Sequence, residues 1–324
     1  MLSQIKSPIE NELKEHDILL KEALNSSVPL IDSVVNYFLQ SKGKMIRPIL
    51  VLLSAKMAGK GIISEKAKLA AVALELLHNA SLIHDDVVDE ADSRRGVASV
   101  NNAWDNKVAV LMGDFFLSRC LIKSTETESL EIQRELSMLA SSLSQGEVLQ
   151  LVNARERSLN EDAYYNVIRN KTASLFTSCM RVGAISANVS KEEIDILGEF
   201  GDRLGIMFQI RDDIFDYFDD PKVGKPTGND IREGKITLPL IYALENGPKE
   251  EVEKMKKILE KDSYSKDEIS ELITFAKENG GIDYSYRKMN SIACEAIKYL
   301  DLFEDSESKH SLLKLVEFII ERNK

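Results

Sequence analysis

The stretch SEKAKLAAVALELLHNASLIHDDVVDEADSRRG, residues 64–96, decides the fold. Ser64 followed by Glu65 is a helix start, and apolar side chains then recur at helical spacing as far as Ile83. The spacing predicts a helix over roughly 64–90, with the apolar segment Ala70 to Ile83 leading into the motif. The run ends on Asp85-Asp86-Val-Val-Asp89 and stops at Gly96. On a helix the first and fifth positions lie about 400° apart, so Asp85 and Asp89 share one face, a turn apart.

The same five-residue pattern returns as Asp212-Asp213-Ile-Phe-Asp216, behind the apolar run Leu204 to Ile210. Crowded carboxylates repel unless a cation neutralises them. Oxygen ligands at this spacing suit Mg²⁺, which takes one or two carboxylates plus substrate phosphates. A single copy reads equally well as a solvated acidic face, and the repetition is what favours a metal site. Asp219-Asp220 reads as a helix-end feature or an outer contributor. Basic groups recur nearby in Gly43-Lys44-Met-Ile-Arg47-Pro48, Arg94-Arg95-Gly96, Lys171-Thr172, Lys225 and Lys235. A lone Lys or Arg usually solvates the surface. Beside metal-type carboxylates these are the clamps a diphosphate site requires. His78, seven residues before Asp85 on the same face, is a structural hydrogen bonder or a donor to a phosphate oxygen.

Helical periodicity covers most of the remaining chain, over roughly 5–24, 28–40, 44–58, 98–124, 128–153, 160–188, 191–219, 236–246, 249–261, 265–279, 281–304 and 308–322. No strand alternation is evident, so the fold is expected to be all-α, one domain over 1–324 with a charged, peripheral part from about 249. The glycine-dotted loop Asp220–Lys235 is long for a mere connection. A net charge of −11 argues against nucleic-acid binding. Cys120, Cys179 and Cys294 form no metal spacing and read as reduced thiols. With no signal-type or membrane-length apolar run, the expected location is cytoplasmic.

These motifs resemble the trans-polyprenyl diphosphate synthase family. The similarity runs from GKMIRP at 43–48 to the C-terminus and is most specific in LLHNASLIHDDVVDEADSRRG (76–96) and GIMFQIRDDIFDYFDD (205–220), then in Lys171-Thr172 and KPTGNDIREGK (225–235). It implies an isoprenoid-synthase bundle of about ten core helices around a deep central cavity, a homodimer, with the two aspartate motifs facing each other. It assigns Asp85, Asp89 and Asp212 as main Mg²⁺ ligands, for about three ions. Asp86, Asp213 and Asp216 would be ligands through water or outer partners, with Asp216 also counted among the metal residues. Arg94, Lys171, Lys225 and Lys235 would hold an allylic diphosphate, and Lys44, Arg47, His78 and Arg95 isopentenyl diphosphate. Thr172 and Gln209 would line the reacting carbon, and Arg322 would add a C-terminal contact.

Product length is expected from the helix before Asp85. Short-chain members of the family resembled here carry bulky aromatics four and five residues before the motif, where this chain has Ser81 and Ala80, with Leu77 a turn back. Small side chains leave room for a growing chain, although they also simply permit close helix packing. The expected product is long, octaprenyl within a hexaprenyl to nonaprenyl range. Leu136, Leu139 and Leu143 are candidate floor residues by apolar periodicity alone, and product release would involve at most transient membrane contact. A geranylgeranyl or farnesyl synthase, a terpene cyclase and a non-catalytic subunit are the rivals. The cyclase would not need Lys44 and Arg47, and the inactive subunit would be expected to lack aspartates or clamps.

Overall fold

The computed structural model describes residues 1–40, 43–218 and 227–321. Among these, every regular element is helical except one short hairpin, as periodicity predicts. The earlier helices are α1 (Glu10–Ala23), α2 (Pro29–Gln40), α3 (Ile46–Ala58), α4 (Glu65–Val88), α5 (Asn106–Glu126), α6 (Leu130–Glu156) and α7 (Glu161–Ile168). The later ones are α8 (Ser174–Ser186), α9 (Lys191–Phe215), α10 (Leu238–Asn246), α11 (Lys249–Leu259), α12 (Lys266–Glu278), α13 (Gly281–Leu300) and α14 (Glu307–Glu321). Two compact units emerge. One comprises residues 1–140, 175–200 and 299–315, the other residues 141–174, 201–298 and 316 onward.

In the first unit α4 is buried nearly all round, including Ala70, Ala71, Ala73, Leu74, Leu76 and Ala80. Small side chains on several faces allow neighbours to approach from more than one direction. The Ser64 side chain accepts the Ala67 N–H and starts the helix where the sequence places it. α5 runs antiparallel to α4, with Gly113 against the His84 ring and the Cys120 thiol bonded to the Leu77 backbone. Phe116, wholly buried, therefore stands level with Ala80 and Ser81. It also packs edge-on against Phe38 at 5.3 Å.

The periodic segment 98–124 breaks into a short turn, Val100–Ala103, and α5, because Asp105 caps α5 by accepting the Val108 N–H at 2.8 Å. Just before it, β1 (Ser93–Arg94) and β2 (Val97–Ala98) form a hairpin with Arg95 and Gly96 at φ of 52° and 80°. Two successive left-handed residues give the tight turn that matches strand twist. Strands of two residues leave no alternation to detect, which is why the sequence reads as strandless there.

In the second unit the apolar face of α9 buries Leu204, Met207, Ile210 and Ile214, each worth about 1.5–3 kcal/mol. The periodic segment 160–188 is α7, a single π turn at Arg169–Ala173, and α8. The glycine-dotted loop contains a helical turn, Asn229–Arg232. Among the described residues no helix is long and apolar enough to cross a membrane.

Candidate active site

Both aspartate motifs close helices. The first ends α4, with Asp89 at the C-cap, and the second ends α9. Neither last turn carries a basic residue. The C-terminus of a helix is its negative end, so carboxylates there are disfavoured until a cation joins them.

Each motif divides in the same way. Asp85 and Asp89 are half-buried, as are Asp212 and Asp216, whereas Asp86 and Asp213 are only 2% and 3% exposed. The Arg94 guanidinium donates to Asp86 Oδ1 through Nε at 2.9 Å and through Nη2, and Arg94 also feels the charges of Asp85 and Asp89. The hairpin turn delivers Arg94 to this position. Arg95 lies with its guanidinium against Gly43, where an added Cβ would come within 2.9 Å. His78 is buried, and burial first, then the charges of Arg47, Arg95 and Arg94, hold its pKa well below the ordinary 6.5. It is a neutral imidazole among three guanidiniums, an arrangement suited to an anion. Lys44 is exposed at the edge of the same segment.

The middle aspartate of the second motif is held by neutral donors. Tyr164 Oη donates to Asp213 Oδ2 at 2.6 Å, and Gln209 Nε2 donates to Asp213 Oδ1 at 2.8 Å. Thr172 Oγ1 donates to Gln209 Oε1 at 2.7 Å, which fixes the amide's orientation. Burial pushes the Asp213 carboxyl up to about 7, against the lowering effect of these donors. Asp216 accepts the Asn229 and Asp230 N–H groups, both at 3.0 Å, and so caps the helical turn at 229–232.

A cavity of about 180 Å³ opens beside this motif, lined by Tyr164, Lys171, Thr172, Gln209, Asp213, Asp230 and Lys235 among others. Lys171 Nζ pairs with Glu147 at 2.5 Å and Lys235 Nζ with Glu233 at 2.6 Å. Burial first, then Asp213 and Asp216, raise the Asp230 carboxyl well above the ordinary 3.8.

Most of the residues singled out in the sequence fall into these two groups. The first unit brings together Arg47, His78, Arg94 and Arg95 beside Asp85, Asp86 and Asp89. The second brings together Lys171, Thr172, Gln209, Asp213 and Lys235. Lys225, Asp219, Asp220 and Arg322 lie outside the described residues. Of the length-determining candidates, Ala80 and Leu77 are buried, and the Ser81 hydroxyl donates to the His78 carbonyl at 2.9 Å. Sequence reading passed over Tyr164, Glu147 and Asp230. Only Asp230 carried a signal, as an acid inside the polar loop.

Among the described residues no group of three or more His, Cys, Asp or Glu side chains converges as a ready-made metal cage. Two outer carboxylates per motif, with remaining positions left to water and phosphate oxygens, is the donor set that suits Mg²⁺.

A family model described as polyprenyl synthetase matches residues 28–276. The chain is 32% identical to the octaprenyl diphosphate synthase of Haemophilus influenzae, over 99% of this chain and 97% of that one. A solved polyprenyl synthase from Caulobacter crescentus, complexed with calcium and isoprenyl diphosphate, matches with a TM-score of 0.92 at 29% identity, covering 100% of this chain and 98% of that one. A geranylgeranyl pyrophosphate synthase from Bacteroides thetaiotaomicron matches with a TM-score of 0.86 at 40% identity, covering 99% of each. Together with the paired aspartate motifs and the all-α fold, these matches establish that the chain belongs to the polyprenyl synthetase family of trans-prenyltransferases.

Proposed function

We propose that this chain condenses an allylic diphosphate, farnesyl or geranylgeranyl, with successive isopentenyl diphosphates to give a long all-trans polyprenyl diphosphate, octaprenyl in the first instance. The observation that supports the reaction is the shared division of both motifs, outer aspartates half-exposed and the middle one buried and clamped. Asp85 and Asp89 in the first unit, and Asp212 and Asp216 in the second, would hold Mg²⁺. When bound, Mg²⁺ supplies neutralisation of the charge that grows on the leaving diphosphate. Lys171, Lys235 and Arg94 add cationic charge to that group. Arg47, Arg95 and Lys44 bind the second diphosphate, with neutral His78 donating an N–H.

The allylic carbon–oxygen bond breaks with its electron pair leaving on diphosphate. The isopentenyl double bond attacks the allylic cation, and a proton then leaves the adduct to the released diphosphate. The Thr172 hydroxyl and the Gln209 amide line the reacting carbon and orient it. Water must be kept out, because it would capture the cation.

Ala80 and Ser81 are small, which supports a long product. Phe116 supports a second reading. Level with those two residues and wholly buried, it can take up the space they leave and stop the chain at geranylgeranyl. The chain is further proposed to act as a homodimer. Exposed Leu111, Leu121 and Ile122 on α5 support this.

The deciding experiment is a mass spectrum of products from the purified protein with Mg²⁺, farnesyl diphosphate and excess isopentenyl diphosphate. Products centred near eight isoprene units are expected. Products stopping at four units would keep the reaction and favour the second reading. No product with any allylic primer would point instead to a non-catalytic subunit.

A further inference from the structure

We propose that Tyr164 is a positioning residue for the second aspartate motif, acting through Asp213 and brought into phase by the π turn at Arg169–Ala173. The inference rests on the reaction proposed above.

Tyr164 sits on α7 and Thr172 in the π turn that follows it. Both reach the same pair of side chains on α9. Tyr164 donates to Asp213 directly, and Thr172 donates to Gln209, which donates to Asp213. Gln209 and Asp213 are four apart, so they occupy one face of α9. Tyr164 and Thr172 are eight apart. In an unbroken α-helix that spacing turns two side chains about 80° away from each other. A π turn takes up about one extra residue. The remaining seven residues of α-helical rotation leave the two only about 20° apart. The wide turn is what lets one helical run grip one carboxylate at both oxygens.

The turn needs room, and Gly146 on α6 provides it. A Cβ at 146 would lie 2.7 Å from the Lys171 amide nitrogen and 3.0 Å from the Asn170 carbonyl carbon. Those neighbours are backbone atoms, which cannot swing aside. Any side chain at 146 therefore pushes on the turn that carries Lys171 and Thr172.

With both oxygens of Asp213 engaged, rotation of that side chain is blocked. Its neighbour Asp212 and the chain leading to Asp216 then keep one orientation. Tyr164 thus acts on the chemistry through Asp213.

The test is Tyr164→Phe, which keeps the ring and removes only the donor. A fall in kcat of about tenfold or more is expected, with KM for both diphosphates changed by less than about threefold. In an Asp213→Asn background the same substitution should cost less than about twofold, because its target is already altered. Gly146→Ala should reproduce the kcat loss by displacing the turn. The same cycle is measured in thermal melting, where Tyr164→Phe should lower Tm less in the Asp213→Asn background than in the wild type. Tyr164→Phe with wild-type kcat would overturn the proposal. So would full additivity with Asp213→Asn in both turnover and melting. If the wild-type protein itself makes no product, the reaction is wrong, and the melting cycle still decides whether Tyr164 and Asp213 act as a unit.

Discussion

In each aspartate motif the spacing predicts two carboxylates on one face, and the outer pairs Asp85/Asp89 and Asp212/Asp216 are alike half-buried while the middle aspartates are buried. Asp85→Ala or Asp212→Ala should lower kcat by about two orders of magnitude or more, since charge developing on diphosphate loses a cation anchor. The fold should survive. Each removes an acid from the negative end of a helix, which favours the helix by a few tenths of a kcal/mol, roughly. Steady-state rates at saturating Mg²⁺ together with thermal melts check this, and near-normal turnover in either variant would remove that residue from the metal site. The middle aspartates were less readable. Asp86 meets Arg94 through a hairpin too short to announce itself, and Asp213 meets Tyr164 across a gap of 49 residues in sequence. Nothing in a single sequence encodes either pairing. Under the proposed function, chain length turns on two positions at one level, Ala80 and Phe116. Ala80→Phe should shorten the product, and Phe116→Ala should lengthen it, both read from the same mass spectrum. If neither changes the distribution, the interface of α4 and α5 does not bound the growing chain.

Helices α4 and α9 were readable because apolar side chains recur at helical spacing over many turns, and Ser64 marks the start of α4. The π turn was not. It shifts the phase by a single residue inside a continuous helical segment, and neither composition nor spacing marks it. Helix ends differ in how they are completed. At α12, Ser265 accepts the Glu268 N–H while the Glu268 carboxylate accepts the Ser265 N–H, a reciprocal cap. Ser265→Ala should lower stability by about 1 kcal/mol, seen as a lower urea midpoint. The Lys261 ammonium first, and then the Ser265 donors, hold the Glu268 carboxyl at about 2, below its ordinary 4.5. A group depressed on folding stabilises above its unfolded pKa and loses that effect as the pH falls through the folded one. The difference in midpoint between wild type and Glu268→Gln should therefore be full at pH 7, start to shrink below pH 4.5, and disappear toward about 2. A difference constant across that range would show that the carboxylate charge does not contribute.

Family membership constrains the whole molecule more than its composition does. The acidic balance fits a protein that avoids nucleic acid, yet it says nothing of assembly. Assembly has to be argued from surface. On α5, Leu111 is 67% exposed and Ile122 44% exposed. They lie eleven positions apart, about 20° in helical phase, with Phe115 half-buried between them on the same face. An aligned apolar stripe on the solvent side of a helix whose other side is already packed against α4 is costly to leave in water and is characteristic of a protein interface. If a second copy of this chain covers it, a two-fold interface places each stripe against its own counterpart, and one substitution is felt twice. Leu111→Glu would then bury two like charges near the axis, at a cost far above that of a surface change. Sedimentation velocity should show the wild type as a dimer and Leu111→Glu shifted to monomer, with the helical circular dichroism retained. A dimer that persists in the Leu111→Glu, Ile122→Glu double variant would place the interface on another face. A wild type that sediments as a monomer would exclude the dimer altogether.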